Sequence, residues 1–176
     1  MRAFIAIPVS ESVRSAVAKV SKALSKTGIK PVSAENMHLT LFFLGEIDEK
    51  KTATAIAILE SLHEKIFEMK FSGVGAFPNE NFIRVLWAGC ESKQLISLYD
   101  SLSPRIQGMG YAKEEFRPHL TLARVDAEAK EDAKAFAKKF KENEFGSCIA
   151  ERIVLFKSTL TPNGPIYEEV YSKQFE

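Results

Sequence analysis

A chain of 176 residues with 45% apolar and 27% charged composition carries enough hydrophobic material for one well-buried domain, spanning 1–176, and is too apolar to be a disordered polyelectrolyte. The net charge of +1 excludes the large positive excess that drives tight, sequence-independent nucleic-acid binding through counterion release, so any nucleic acid has to be gripped over a few nucleotides. Cys90 and Cys148, the only cysteines, show neither a CxxC spacing nor a disulfide framework, which fits reduced core thiols in a cytoplasmic protein.

The opening Arg2-Ala3-Phe4-Ile5-Ala6-Ile7 is apolar but short, and Pro8 breaks it before Ser10-Glu11-Ser12. It is expected to be a first strand rather than a secretion signal, and no segment approaches membrane-spanning length. Val13, Val17, Val20 and Leu24 then recur at near-helical spacing behind a Ser10 N-cap, with Gly28 as the stop. A strand over 36–44 ends at Gly45, and a second helix over 49–65 carries Ile56, Leu59, Leu62 and Ile66 as its apolar stripe. The stretches 67–77 and 82–90 form a hairpin around Pro78-Asn79-Glu80-Asn81. Leu95, Leu98 and Leu102 mark a third helix, with Pro104 as a candidate interruption.

A strand over 116–125 follows, and Asp126 is a candidate cap for a fourth helix. That helix turns Ala129, Ala133, Phe136, Ala137 and Phe140 inward and leaves Lys130, Lys134, Lys138 and Lys141 in water. Because Glu128, Glu131 and Asp132 interleave with those lysines, the outer face reads as solvated rather than as a nucleic-acid patch. A last hairpin joins 149–160 to 166–171 through Thr161-Pro162-Asn163-Gly164.

Two of the three histidines sit in one repeated tetrapeptide, His38-Leu39-Thr40-Leu41 and His119-Leu120-Thr121-Leu122. On a strand, residues i and i+2 share a face, so each histidine projects beside a threonine while the leucines point into a core. Two imidazoles facing across a cleft suit in-line displacement at phosphorus, one accepting a proton as the other donates one, with the threonine hydroxyls on the non-bridging oxygens. The order strand, helix, hairpin occurs twice, and Phe77 and Phe156 fall at matching places in the two hairpins. This predicts an internally duplicated α+β protein: two pseudo-symmetric lobes, each an antiparallel sheet with outer helices, and a groove between them.

By the same strand parity, Arg117 is placed to hold a phosphate and Phe42 to stack on a base, although a phenylalanine in Leu-Phe-Phe-Leu also suits core packing. Arg124 has the opposite parity and reaches the groove only if the strand bulges or ends before it. His63 lies on a helical segment without a companion motif and receives no role. A zinc centre needs three or four ligands, and neither tetrapeptide has a cysteine or carboxylate at ligand spacing, so no metal is expected. There is no Gly-x-Ser-x-Gly elbow and no Walker loop. No segment stands out as an association helix, and no obligate protein partner is expected.

The residues as a set resemble the two-histidine (HxTx) phosphoesterase superfamily, and within it the bacterial and archaeal RNA 2′,3′-cyclic phosphodiesterases, also called 2′-5′ RNA ligases. The resemblance runs from Arg2-Ala3-Phe4-Ile5-Ala6 through the first tetrapeptide with Phe43-Leu44-Gly45, Gly75-Ala76-Phe77-Pro78 and Arg84-Val85-Leu86-Trp87. It continues in Phe116-Arg117-Pro118-His119-Leu120-Thr121-Leu122-Ala123-Arg124 and in Ser158-Thr159-Leu160 through Gly164 to Tyr167. It implies a bilobal fold, hydrolysis of RNA 2′,3′-cyclic phosphate ends to 2′-phosphates, no metal or nucleotide cofactor, His38 as proton donor and His119 as proton acceptor. It also implies possible 2′-5′ joining of RNA ends. Some superfamily members act on small cyclic phosphates such as that of ADP-ribose. The reading from another class is an RNA-end binding module that holds the phosphate without turnover.

Overall fold

The structure is a computed structural model that describes residues 1–24 and 28–176. The chain runs β1 (Arg2–Pro8), α1 (Glu11–Ser21), β2 (Ile29–Pro31), β3 (His38–Glu46), α2 (Glu49–Glu60), β4 (Phe67–Asn79), β5 (Phe82–Glu91) and α3 (Lys93–Gln107). It continues with β6 (His119–Val125), α4 (Lys130–Lys139), β7 (Glu144–Ala150), β8 (Arg152–Thr161) and β9 (Gly164–Gln174). The strands form two antiparallel sheets, ordered β3-β1-β8-β9 and β2-β6-β5-β4-β7. The expected α+β architecture with two lobes is therefore present.

The duplicated order is interlocked rather than sequential. The hairpin that follows the first histidine strand, β4–β5, pairs with the second histidine strand, and β8–β9 pairs through β1 with the first. Each lobe thus takes its histidine from one half of the chain and its hairpin from the other. Strands β3 and β6 approach to within 8 Å where the lobes meet.

Helix α1 starts where expected, with the Ser10 side chain accepting from the Val13 N–H and Val13 and Val17 buried. It ends at Ser21, a short 3-10 turn covers 22–24, and the last turn expected before Gly28 falls on residues 25–27, outside the described residues. Helix α2 stops at Glu60, five residues early, because Glu176 captures the next segment: Ile66 N–H donates to the Glu176 carbonyl and Glu176 N–H to the Glu64 carbonyl. Ile66, expected in the apolar stripe, is accordingly exposed. Pro104 does not interrupt α3. Leu95, Leu98, Leu102 and Ile106 are buried on both sides of it, and that packing outweighs the roughly 3 kcal/mol a mid-helix proline costs.

Asp126 makes no side-chain cap; a 3-10 turn over 127–129 intervenes, and Ala129 stands at the N-cap of α4. The stripe Ala129, Ala133, Phe136 and Ala137 is buried as expected. The short strand β2 and the strand β7 are additions to the expected list, and β7 lies in the other sheet from β8. Among the described residues no helix is long and apolar enough to cross a membrane.

Candidate active site

The two histidine strands share one burial sequence over seven residues: half-buried, buried, half-buried, buried, buried, exposed, buried. Simple alternation fails at the fifth position of both, and the cause is a pair of matching β-bulges. Along β1–β3, Ile5 opposes Phe42 and Ala6 opposes Thr40, which leaves Leu41 without a partner. Along β5–β6, Leu86 opposes Ala123 and Trp87 opposes Thr121, which leaves Leu122 unpaired. The extra residue is the last of each tetrapeptide, and it reverses which face the next side chains take, Phe42 and Phe43 on β3 and Ala123 and Arg124 on β6, before a second bulge at Leu44 on β3.

Two sequence expectations turn on these bulges. Arg124 is exposed and lines a cavity of about 590 Å³ together with Thr40, Thr121, His38 and Tyr167, so it stands on the groove face. Phe42, expected there, is instead 9% exposed and stacks on Tyr99 at 4.7 Å; Tyr99 stacks in turn on Phe116 at 4.1 Å. The bulge turns Phe42 inward, where its ring joins β3 to α3 and to the segment leading into β6. The groove position falls to Phe43, 70% exposed, which borders both the Arg124 cavity and an adjoining one of about 420 Å³ that contains His119. Strand parity alone could not find Phe43. Its legible sign is two adjacent apolar residues, Leu41-Phe42 and Leu122-Ala123, after each His-x-Thr.

Strand β6 begins at His119 rather than at 116, because Pro118 has no N–H to add to a ladder. Arg117 therefore lies before the strand. Its guanidinium holds Glu115 in a two-pronged contact, Nε at 3.1 Å and Nη2 at 3.2 Å, and is well exposed on the rim of the His119 cavity. It also borders a larger cleft of about 960 Å³ between the β4–β5 hairpin and α4, which neither histidine lines. His63 pairs with Glu176 at the exposed chain end, away from the groove.

Each imidazole bonds the backbone of a residue just before its strand. His119 Nδ1 lies 2.6 Å from the carbonyl oxygen of Arg117, and His38 bonds the backbone of Asn36, in each case the residue two places earlier. A carbonyl only accepts, so Nδ1 of His119 carries the hydrogen and its Nε2 is left to exchange protons. Aromatic rings crowd each imidazole. His38 stacks on Phe4 at 4.7 Å and on Phe156 at 5.8 Å, with the Tyr167 edge at 5.1 Å; His119 meets the Phe77 edge at 4.9 Å and Trp87 at 6.4 Å. The matching places of Phe77 and Phe156 are thus places against the two histidines. Burial pushes the His38 pKa down to about 4, against a smaller upward pull from its backbone bond, and lowers that of His119 for the same reason.

Trp87 reaches His119 only because of a glycine. Gly75 opposes Trp87 on β4, and a Cβ there would lie 2.2 Å from the indole Cζ2. Gly75→Ala therefore has to displace a rigid ring, and overpacking of this kind costs about 1–3 kcal/mol. The expected outcome is a melting temperature lower by roughly 2–10 °C together with reduced turnover. Thermal denaturation followed through the Trp87 fluorescence, the chain's only tryptophan, checks it.

Comparison with known proteins gives the family of the chain. A model described as LigT-like phosphoesterase matches residues 5–87 and 89–167, so each matched stretch contains one histidine tetrapeptide. The chain belongs to the LigT-like phosphoesterase family. It is 39% identical over 172 residues to the RNA 2′,3′-cyclic phosphodiesterase of Methanocaldococcus jannaschii, covering 97% of this chain and 98% of that one. It is 38% identical over 187 residues to the protein of that name from Thermotoga maritima, covering 100% and 96%. The crystal structure of TT0787 of Thermus thermophilus superimposes with a TM-score of 0.84 at 30% identity, over 99% of this chain and 98% of that one. E. coli LigT complexed with 3′-AMP shares the fold at a TM-score of 0.82 and 22% identity, over 99% and 97%.

Proposed function

We propose that this LigT-like phosphoesterase hydrolyses RNA 2′,3′-cyclic phosphate ends to 2′-phosphates by acid-base catalysis between His38 and His119. The observation that carries the reading is the pair of imidazoles, each bonded to the backbone two residues before it, on two strands that meet at one groove, each with a threonine on the same face. The names of the relatives from Methanocaldococcus jannaschii and Thermotoga maritima supply the substrate class. Both halves of the chain contribute one histidine, so the chain acts as one duplicated catalytic unit.

In the proposed step neutral His119 takes a proton from water as the water oxygen bonds to phosphorus. The bond from phosphorus to the 3′-oxygen breaks on the opposite side, and protonated His38 delivers its proton to that oxygen. An imidazolium whose burial gives it a low pKa is a strong donor once the bound phosphate anion has let it form. Thr40 and Thr121 donate to the non-bridging oxygens, Arg124 balances their charge from the groove face, and Phe43 offers its exposed ring to the nucleobase. Arg117 serves from the rim. A 5′-hydroxyl in the place of water would form a 2′-5′ linkage by the same proton movements.

The chemistry needs only imidazoles, hydroxyls and a guanidinium, so turnover of adenosine 2′,3′-cyclic phosphate by purified protein is expected to survive exhaustive chelation. Loss of turnover in chelator, restored by one divalent metal, would replace the imidazole base with metal-bound hydroxide. Running ADP-ribose cyclic phosphate and a cyclic-phosphate oligonucleotide beside it separates the strand-end reading from the small-molecule one. Binding without conversion of any of them would leave a strand-end binding module.

A further inference from the structure

A cavity of about 490 Å³ adjoins the catalytic one through a common wall of Asn36, Met37, His38, Pro165 and Tyr167. The Asn36 side-chain amide ties that wall together by donating to the Pro165 carbonyl at 3.0 Å. Two arginines lie beyond it. The guanidinium of Arg152 is occupied, donating to both carboxylate oxygens of Glu169 at 2.7 and 2.8 Å and to Ser172. Arg14, on α1, is different: its Nε is buried without an acceptor, and it forms no ion pair among the described residues, although the exposed Glu35 borders the same cavity. A buried N–H on a cation that lacks a protein acceptor carries a desolvation cost that an acceptor brought by a water, an ion or a ligand relieves. The planar fork of a guanidinium suits a phosphate best.

Position points to which phosphate. In-line attack places water on the far side of phosphorus from the leaving 3′-oxygen, so under the proposed function the ribose lies on the His38 side. The next phosphate of an RNA strand hangs from the 5′-oxygen of that ribose, one nucleotide further from the scissile phosphorus. We infer that Arg14 and the cavity beyond His38 form a subsite for the phosphodiester joining the terminal nucleotide to its strand, so that strand ends are preferred over free cyclic mononucleotides. The inference rests on the cyclic phosphodiesterase reading.

The test compares kcat/KM for adenosine 2′,3′-cyclic phosphate, its 5′-phosphorylated form and an adenylyl dinucleotide ending in a cyclic phosphate, using wild type, Arg14→Gln and Arg14→Lys. The dinucleotide is expected to outpace the mononucleotide by roughly 10- to 100-fold in wild type, the range for a charge-assisted phosphate contact. Arg14→Gln should abolish that preference while leaving the mononucleotide, which has nothing to reach Arg14, within about twofold; Arg14→Lys should keep part of it. A gain with the 5′-monoester as well as the diester supports the subsite, whereas a gain with the monoester alone overturns its assignment to a strand. Equal losses on all three substrates would make Arg14 a structural support for the His38 wall, and no preference in wild type would sink the inference. Calorimetric binding of the matching 2′-phosphate products reads the same subsite without turnover, so a failure of the cyclic phosphodiesterase reading would not hide the answer.

Discussion

Replacing His38 or His119 by glutamine is expected to lower turnover of a 2′,3′-cyclic nucleotide by roughly 10²- to 10⁴-fold, the range for loss of a positioned general acid or base. The two single variants should be about equally damaged, and the double variant little worse than either, because a proton relay fails when either partner is missing. Glutamine is the better replacement at position 38. The His38 ring packs among Phe4, Phe156 and Tyr167, so alanine would open a gap among aromatic rings and mix a packing loss with a chemical one. Steady-state kinetics beside a melting curve separates the two effects. If both variants kept near-native rates, the histidines would be groove furniture and the threonines with Arg124 would have to explain any catalysis.

The dependence of kcat/KM on pH should be nearly as large an effect. Burial holds both imidazoles of the free protein below their ordinary value, His38 at about 4, so the state with one charged and one neutral ring is most populated on the acid side. The curve is expected to be a bell with its maximum below about pH 6.5, falling roughly tenfold per unit on the alkaline limb. Bound phosphate stabilises the imidazolium, so the kcat profile should lie further to the alkaline side. Stability has its own linkage: protonation of His38 is favoured in the unfolded chain, so its contribution is fully present above about pH 6.5 and is lost as the pH falls toward 4, up to about 3 kcal/mol. Initial rates from about pH 4 to about pH 9 and acid unfolding of wild type against His38→Gln check both. A kcat/KM that rose steadily through pH 8 would contradict an imidazolium donor.

Much of the site was legible because it depends on local periodicity. The repeated His-x-Thr placed both imidazoles on strand faces beside hydroxyls, and the structure brings those two strands together. What strand parity could not carry was the bulge, since one unpaired residue exchanges the roles of neighbours: Phe42 for Phe43, and Arg124 from the core side to the groove. The exchange of hairpins between lobes was equally hidden, because which strands pair across the fold is a long-range property. Helix ends failed where distant groups decided them, as with Glu176 capturing the segment after α2. The aromatic surroundings of the histidines come from several different strands and are invisible to any local window, with Phe77 and Phe156 the exceptions that the duplicated order exposed.

The most direct measurement is the phosphorus NMR spectrum of adenosine 2′,3′-cyclic phosphate during incubation with the protein. The expected result is replacement of the cyclic resonance by that of the 2′-phosphate, because His38 protonates the 3′-oxygen as water enters beside His119. A predominant 3′-phosphate would mean that the substrate lies in the opposite sense, with the 2′-oxygen leaving beside the proton donor; an unchanged cyclic resonance would contradict the proposed reaction itself.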